Sequence, residues 1–316
     1  MKRDLAALFS LLLASSFAAA CTGTTADGNC ASLPPELTEH FDLTTSDVTC
    51  GGDAGVDAST SHDAGALACT CEELCKQLTG QVPLSCRFLS STNVDCTVTQ
   101  TCPGGRKPAQ LVAPRLPFTD RRTAFLLGCA HMEAASVIAF ASLASDLSSL
   151  GAPQALVDRV HAAADDEVRH ARAVLKLAGR ATLPAVEVGS SGPRDAFAIA
   201  LENAREGCVR ETYAALLAQR QGSAARDPMV RSAMAEIAAD ETRHAELSWT
   251  LAAWLDELLD ADQRRAIADA RACEASALRA ELVSRGLLED ADLGLPSARK
   301  AVALLDGLVA GLGMAA

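Results

Sequence analysis

The sequence predicts an all-α protein centred on a four-helix bundle, and three observations carry that prediction. Aromatic residues make up only 3% of the 316 residues against 49% hydrophobic residues in all, so the apolar content lies in helix formers and not in aromatic-rich strands. From about residue 118 the chain runs in long Ala/Leu-rich stretches of helical periodicity, punctuated by Gly and Pro. A carboxylate-histidine motif then occurs twice, on equivalent stretches. The 40 acids and 28 bases give a formal charge of −12 and leave no basic stripe, which excludes nucleic acid as the main partner.

The N-terminus reads as an export segment. Lys2 and Arg3 precede an apolar run from Leu5 to Ala20 that ends in small residues before Cys21, which sets residues 1–20 apart as a signal peptide too short for a membrane span. This segment resembles a bacterial lipoprotein signal. The resemblance implies cleavage before Cys21, lipidation of that residue and a membrane held through the lipid anchor. Ala18 stands where such signals usually carry Leu, and ordinary cleavage after Ala20 would export the chain as well.

Export decides how the cysteines are read. Eight of them (Cys30, Cys50, Cys69, Cys71, Cys75, Cys86, Cys96 and Cys102) fall in one stretch, and an oxidising compartment favours disulfides over zinc for an even set. The Cys69-x-Cys71-x3-Cys75 spacing also lacks the paired CxxC of a zinc ribbon. Residues 21–66, rich in Gly, Ser, Thr and Asp, read as a flexible tether, and 67–105 as a small disulfide-rich module. Cys129, Cys208 and Cys273 follow later and, being three, contribute at most one bridge among themselves.

The bundle is expected over residues 118–260. Thr119 or Asp120 can cap a first helix that runs to Leu150, where Gly151-Ala152-Pro153 breaks it, and a second continues to about Arg180. Residues 181–193 read as an extended linker. A third helix runs from about Arg194 to Gly222, and a fourth starts at Asp227-Pro228, with Pro in the first turn, and ends near Asp260. Two further helices, about 261–284 and 296–312, are expected to pack on the bundle within residues 261–316.

The repeat carries the chemistry. Asp166-Glu167-x-Arg169-His170-Ala171 and Asp240-Glu241-x-Arg243-His244-Ala245 are the same motif, and the gapless alignment of the preceding helices sets Glu133 on Glu206 and Phe140 on Tyr213. Glu133 precedes Glu167 by 34 residues, and Glu206 precedes Glu241 by 35. Residues i and i+3 share a helix face, so each Glu-x-x-His presents a carboxylate and an imidazole in one direction. The turns near residues 151 and 224 fall midway along each hairpin, which levels the single Glu with its Glu-x-x-His. Four carboxylates and two imidazoles converging in a core need compensation, and a pair of divalent cations supplies it. Such sites occur in four-helix bundles with a Glu from each of two helices and Glu-x-x-His from the other two.

On these residues the chain resembles the ferritin-like superfamily, in particular bacterioferritins and rubrerythrins, across about 120–256. The resemblance implies Glu133 and Glu206 as terminal ligands, Glu167 and Glu241 as bridges between the metals, and His170 and His244 as one ligand to each metal. It implies Asp166 and Asp240 as the acids that orient the ligand histidines. Two Fe ions are the implied cofactor, with Mn or Zn as substitutes, and dioxygen or hydrogen peroxide the implied reactant, with an unidentified electron donor. The chain lacks rubredoxin cysteines and an extra Glu three residues after Glu206, unlike rubrerythrin proper. Glu202 and Glu211 are rivals to Glu206, set aside because the alignment puts them opposite Cys129 and Ile138. Tyr213 is a candidate electron relay, and a core tyrosine with one hydrogen bond is the plainer reading. His131, two residues from Glu133, points elsewhere. The functional expectation is an exported di-iron oxidoreductase, a ferroxidase or peroxidase; the alternative is a non-catalytic cell-envelope metal-binding or structural lipoprotein.

Overall fold

The computed structural model describes residues 4–14, 36–42, 70–79, 85–90, 92–99, 106–108, 110–112, 121–182, 185–189, 192–284 and 289–314. Cys21 with its expected cleavage site, Cys30, Cys50, Cys69, Cys102 and the caps at Thr119 and Asp120 lie outside the described residues.

The protein is mostly helical. Helices α3 (Arg121–Ser149) and α4 (Gln154–Leu177) form a hairpin around Gly151, whose φ of 74° is a left-handed conformation that ends α3 without a side-chain clash. The next long helix is composite: α5 (Ala196–Glu202), a π-helical segment (Asn203–Glu211) and α6 (Thr212–Ala224) follow one another directly. Asp195 starts α5 by accepting from the Ala198 amide, and Asp227 starts α7 (Pro228–Asp256) by accepting from Met229 and Val230, with Pro228 in the first turn. Helices α8 (Ala261–Ser284) and α9 (Ala298–Leu312) complete the chain within a few residues of where the periodicity puts them.

Helices α6 and α7 pack at very close range through Gly222, where a Cβ would lie 2.9 Å from the backbone N and Cα of Ala235. A backbone neighbour cannot swing aside. Gly222→Ala is therefore expected to cost about 2 kcal/mol through overpacking, read as a lower urea midpoint at unchanged m-value.

Among the described residues, and apart from a smaller cluster around Leu74, Leu78 and Val94, the long helices share two apolar clusters. One holds Leu126, Leu127, Val174, Val209, Leu216 and Ile237 and extends onto α8 and α9. The other holds Phe140, Leu143, Leu147, Val157, Val160, Ile199 and Leu251. On α3 the boundary falls between Ala130 and Phe140, and on α4 between Ala164 and Val174, so Glu133, Glu167 and His170 form a polar layer between two oily ones. Helix α3 is also the one described helix long and apolar enough to cross a membrane, and its buried share and Glu133 mark it as a core helix.

Two features of the N-terminal region extend the sequence reading. The apolar run expected to be a signal contains helix α1 (Leu5–Ala14), whose Leu5, Phe9 and Leu12 are buried in the first cluster, with Leu8 beside Gly311 of α9. Within the stretch read as a tether, β1 (Glu36–Asp42) pairs antiparallel with β3 (Asn93–Thr99), which also pairs with β2 (Ser85–Phe88). That strand corrects the tether reading: backbone pairing with a neighbour orders seven residues whose composition alone signals none. Helix α2 (Cys71–Thr79) packs on the sheet through the disulfides Cys71–Cys86 and Cys75–Cys96. Cys129 and Cys273 are also disulfide-bonded, and the buried Cys208 thiol donates to the Ser248 carbonyl at 3.8 Å.

Candidate metal centre

Three helices bring Glu133 (α3), Glu167 and His170 (α4) and Glu241 (α7) together so that one donor atom from each lies within 4.8 Å of the others, a cluster that can hold a metal ion. His244, one turn beyond Glu241, joins it. All five are at least nine-tenths buried.

The two imidazoles are arranged reciprocally. His170 Nδ1 lies 3.1 Å from Glu241 on the other helix and 3.7 Å from Glu167 on its own; His244 Nδ1 lies 3.1 Å from Glu167 and 3.8 Å from Glu241. These are contact distances without hydrogen-bond alignment. His170 Nδ1, His244 Nδ1, Glu133 Oε2 and both carboxylate oxygens of Glu167 and of Glu241 are buried with no hydrogen-bond partner. Buried polar atoms are normally hydrogen-bonded, and so many without such a bond at one place, all of them able to offer lone pairs once deprotonated, have the chemistry of a cation site.

The opposite ring nitrogens are held. His170 Nε2 is 3.1 Å from Asp240, and His244 Nε2 is 3.1 Å from Asp166, so each Asp orients the histidine of the other helix. Each Asp in turn takes Arg169 and Arg243 from the solvent side, at 3.0 Å for Arg169–Asp240 and 3.2 Å for Arg243–Asp166. A carboxylate on Nε2 leaves Nδ1 as the inward lone pair, which is the orientation a metal-ligating imidazole needs. Phe140 packs edge-on against His244 with ring centroids 5.4 Å apart.

Charge in the cluster is settled by protons when no cation is bound. Burial, then the neighbouring Glu167 and Glu241, pushes the Glu133 carboxyl well above its ordinary range. Burial alone would lower His170, but Glu167, Glu241 and Glu133 together push it up to about 11, and Asp166, Glu167 and Glu241 likewise hold His244 well above its usual value. Glu241 is drawn down to about 2 against its burial by the two histidines. A cation must displace the protons on both imidazoles, so the metal-free form binds more protons and affinity rises with pH. We expect at least two protons released per filled centre near pH 7, read by calorimetric Zn²⁺ titration in buffers of different ionisation heat. Binding that releases no proton would contradict this.

Two residues named from the sequence are elsewhere. Glu206 is half-buried, accepts from the backbone amide of Lys107 at 3.4 Å and lends its charge to Arg210, which is itself paired with Glu274 and Glu281 of α8. In its place the buried acid beside the cluster is Glu211. Its Oε2 accepts from Ser248 at 2.7 Å and its Oε1 is unpaired; burial raises it to about 7, while the charges of Arg106, His244 and Glu241 all act on it. The π-helical segment is the reason: i→i+5 bonding puts an extra residue in each turn, and a register counted at 3.6 fails across nine such residues. Tyr213 is the other correction. Its hydroxyl donates to the carbonyl of Ala301 on α9 at 3.1 Å, so it anchors α9 and is not part of the cluster, lying two residues past Glu211 and therefore on a different face. His131 is buried against the backbone of Ala185, where desolvation lowers its pKa.

Sequence reasoning missed Arg106 altogether. This residue is 1% exposed, and its guanidinium reaches Glu202 (3.1 Å), Asn203 (2.8 Å), Ser248 (3.2 Å) and Glu211 (3.5 Å). No local pattern marks it, because it comes from the segment following the disulfide module and not from the bundle. Comparison of the chain with protein-family models, with curated proteins and with solved structures found no match.

Proposed function

We propose that this protein is a ferritin-like di-metal carboxylate protein that binds two iron ions and reacts with dioxygen or hydrogen peroxide. The observation that carries the reading is the set of buried, unpaired lone-pair donors on Glu133, Glu167, His170, Glu241 and His244, backed by an acid on each imidazole. In this reading Glu133 with His170, and Glu211 with His244, form the two ends of a pseudo-twofold centre, and Glu167 and Glu241 lie between them. Bound iron would supply the one-electron chemistry. The protein's own residues hold the ions, keep bulk water out through the oily layers on either side, and orient the imidazoles through Asp166 and Asp240. The disulfides of the N-terminal module suit an oxidising compartment. Export through residues 1–20 and a lipid anchor at Cys21 belong to the same proposal.

Stopped-flow oxidation of added ferrous ion by dioxygen or peroxide tests the activity, with bound metal counted in parallel. Catalysed oxidation faster than in buffer is expected. Two tightly bound ions without oxidation would instead favour a cell-envelope metal-binding protein, a reading to which the complete burial of the cluster also lends itself.

A further inference from the structure

Arg106 sits at one end of the proposed centre, and among the described residues it has no counterpart at the other. It reaches the bundle from outside. The segment that carries it pairs with the linker between α4 and α5, through Val112 to Glu187 (2.9 Å), Gly189 to Gln110 (3.0 Å) and the bridge Leu111–Val188. Its seat is built for a guanidinium. Gly207 leaves the space: a Cβ there would lie 2.5 Å from Arg106 Nη2 and 2.6 Å from both Asn203 Oδ1 and Ser248 Oγ. The guanidinium carbon stands 5.5 Å from the Phe140 ring centroid, and Phe140 also packs on His244.

Position decides the consequence. Among the described residues His170 is the one basic ion-pair partner of Glu133, whereas Glu211 shares its Oε2 environment with a buried, permanently charged guanidinium at 3.5 Å. A divalent cation taken by Glu211 therefore stands one carboxylate away from a fixed positive charge, inside a core where charges are weakly screened. A cation taken by Glu133 does not. Arg106 also engages the same acid that the second ion would need, so the two compete for its lone pairs.

We propose that Arg106 is a resident counter-cation that makes the two metal positions unequal: the Glu133/His170 position fills first, and the Glu211/His244 position fills only at higher metal concentration. This rests on the metal reading above and adds to it an order of loading, enforced by a segment that continues from the disulfide module. It gives that segment a role in the chemistry of the bundle.

The test is a Co²⁺ titration of the full chain, followed by calorimetry and by the visible d–d absorption of the bound ion, for the parent, Arg106→Gln and Arg106→Lys. For the parent, a first ion and a second bound at least tenfold more weakly are expected. Arg106→Gln should tighten the second step at least tenfold and leave the first within about threefold. Arg106→Lys keeps the charge and should retain the weak second step, which separates a charge effect from a packing effect. Far-UV circular dichroism confirms that each variant is folded, and if Arg106→Gln is not, Arg106→Met is titrated in its place. Equal stepwise constants in the parent, or a second step unmoved by removal of the charge, would overturn the proposal while leaving the metal site intact. Failure of all three proteins to bind Co²⁺ would overturn the metal reading itself.

Discussion

Glu241→Ala is expected to lose one bound metal entirely and to lose ferrous oxidation with it, and Glu167→Ala to behave the same way. Each carboxylate lies 3.1 Å from one imidazole and 3.7 or 3.8 Å from the other, so in the proposed two-ion centre its removal would take a ligand from both positions at once. The helices should survive, because the apolar layers on either side hold them. The contrast between Glu206→Ala and Glu211→Ala sharpens the test. Glu206 bonds to the Lys107 amide and faces Arg210, so its loss should leave metal binding within about twofold, whereas loss of Glu211 should weaken the second ion at least tenfold. Metal counting by plasma mass spectrometry after dialysis decides between them, and equal effects would restore Glu206 as a ligand.

The second large effect is on stability. Arg210, on the π-helical segment, pairs with Glu274 and Glu281 of α8, whose side chains are 6% and 8% exposed. Replacing Arg210 by Met removes the cation that these two nearly buried carboxylates share, and breaking a buried pair from one side costs about 3 kcal/mol. The loss should concentrate in α8, because that pairing ties α8 to the helix bearing Glu211. Hydrogen exchange is the readout: amides of Ala261–Ser284 should lose protection in Arg210→Met while those of α3 and α4 keep theirs. Uniform loss across all the helices, or none, would contradict this.

How far the centre was legible in the sequence differs residue by residue. Glu167-x-x-His170 and Glu241-x-x-His244 were legible because both lie on regular α-helices, where i and i+3 share a face, and duplication separates them from chance. Asp166 and Asp240 were legible by the same repeat, although each orients the histidine across the bundle, a pairing only the fold reveals. Glu133 was found through the spacing of the hairpin. Glu211 is the rival that a gapless alignment sets aside, since such an alignment carries the register of one helix onto another that contains nine π-helical residues. Tyr213 followed Glu206 into error by the same alignment. Arg106 left no signal, for a residue that packs across a hundred positions of sequence has no periodicity to betray it.

These buried donors are expected to hold two divalent cations. Anomalous diffraction from crystals of the full chain soaked in Mn²⁺ tests it most directly. Two peaks about 3.5–4 Å apart, one beside His170 Nδ1 and one beside His244 Nδ1, are expected at saturating metal, with the peak beside Glu133 the stronger when metal is limiting. No anomalous peak at the cluster, with the imidazoles still hydrogen-bonded to Asp166 and Asp240, would contradict it.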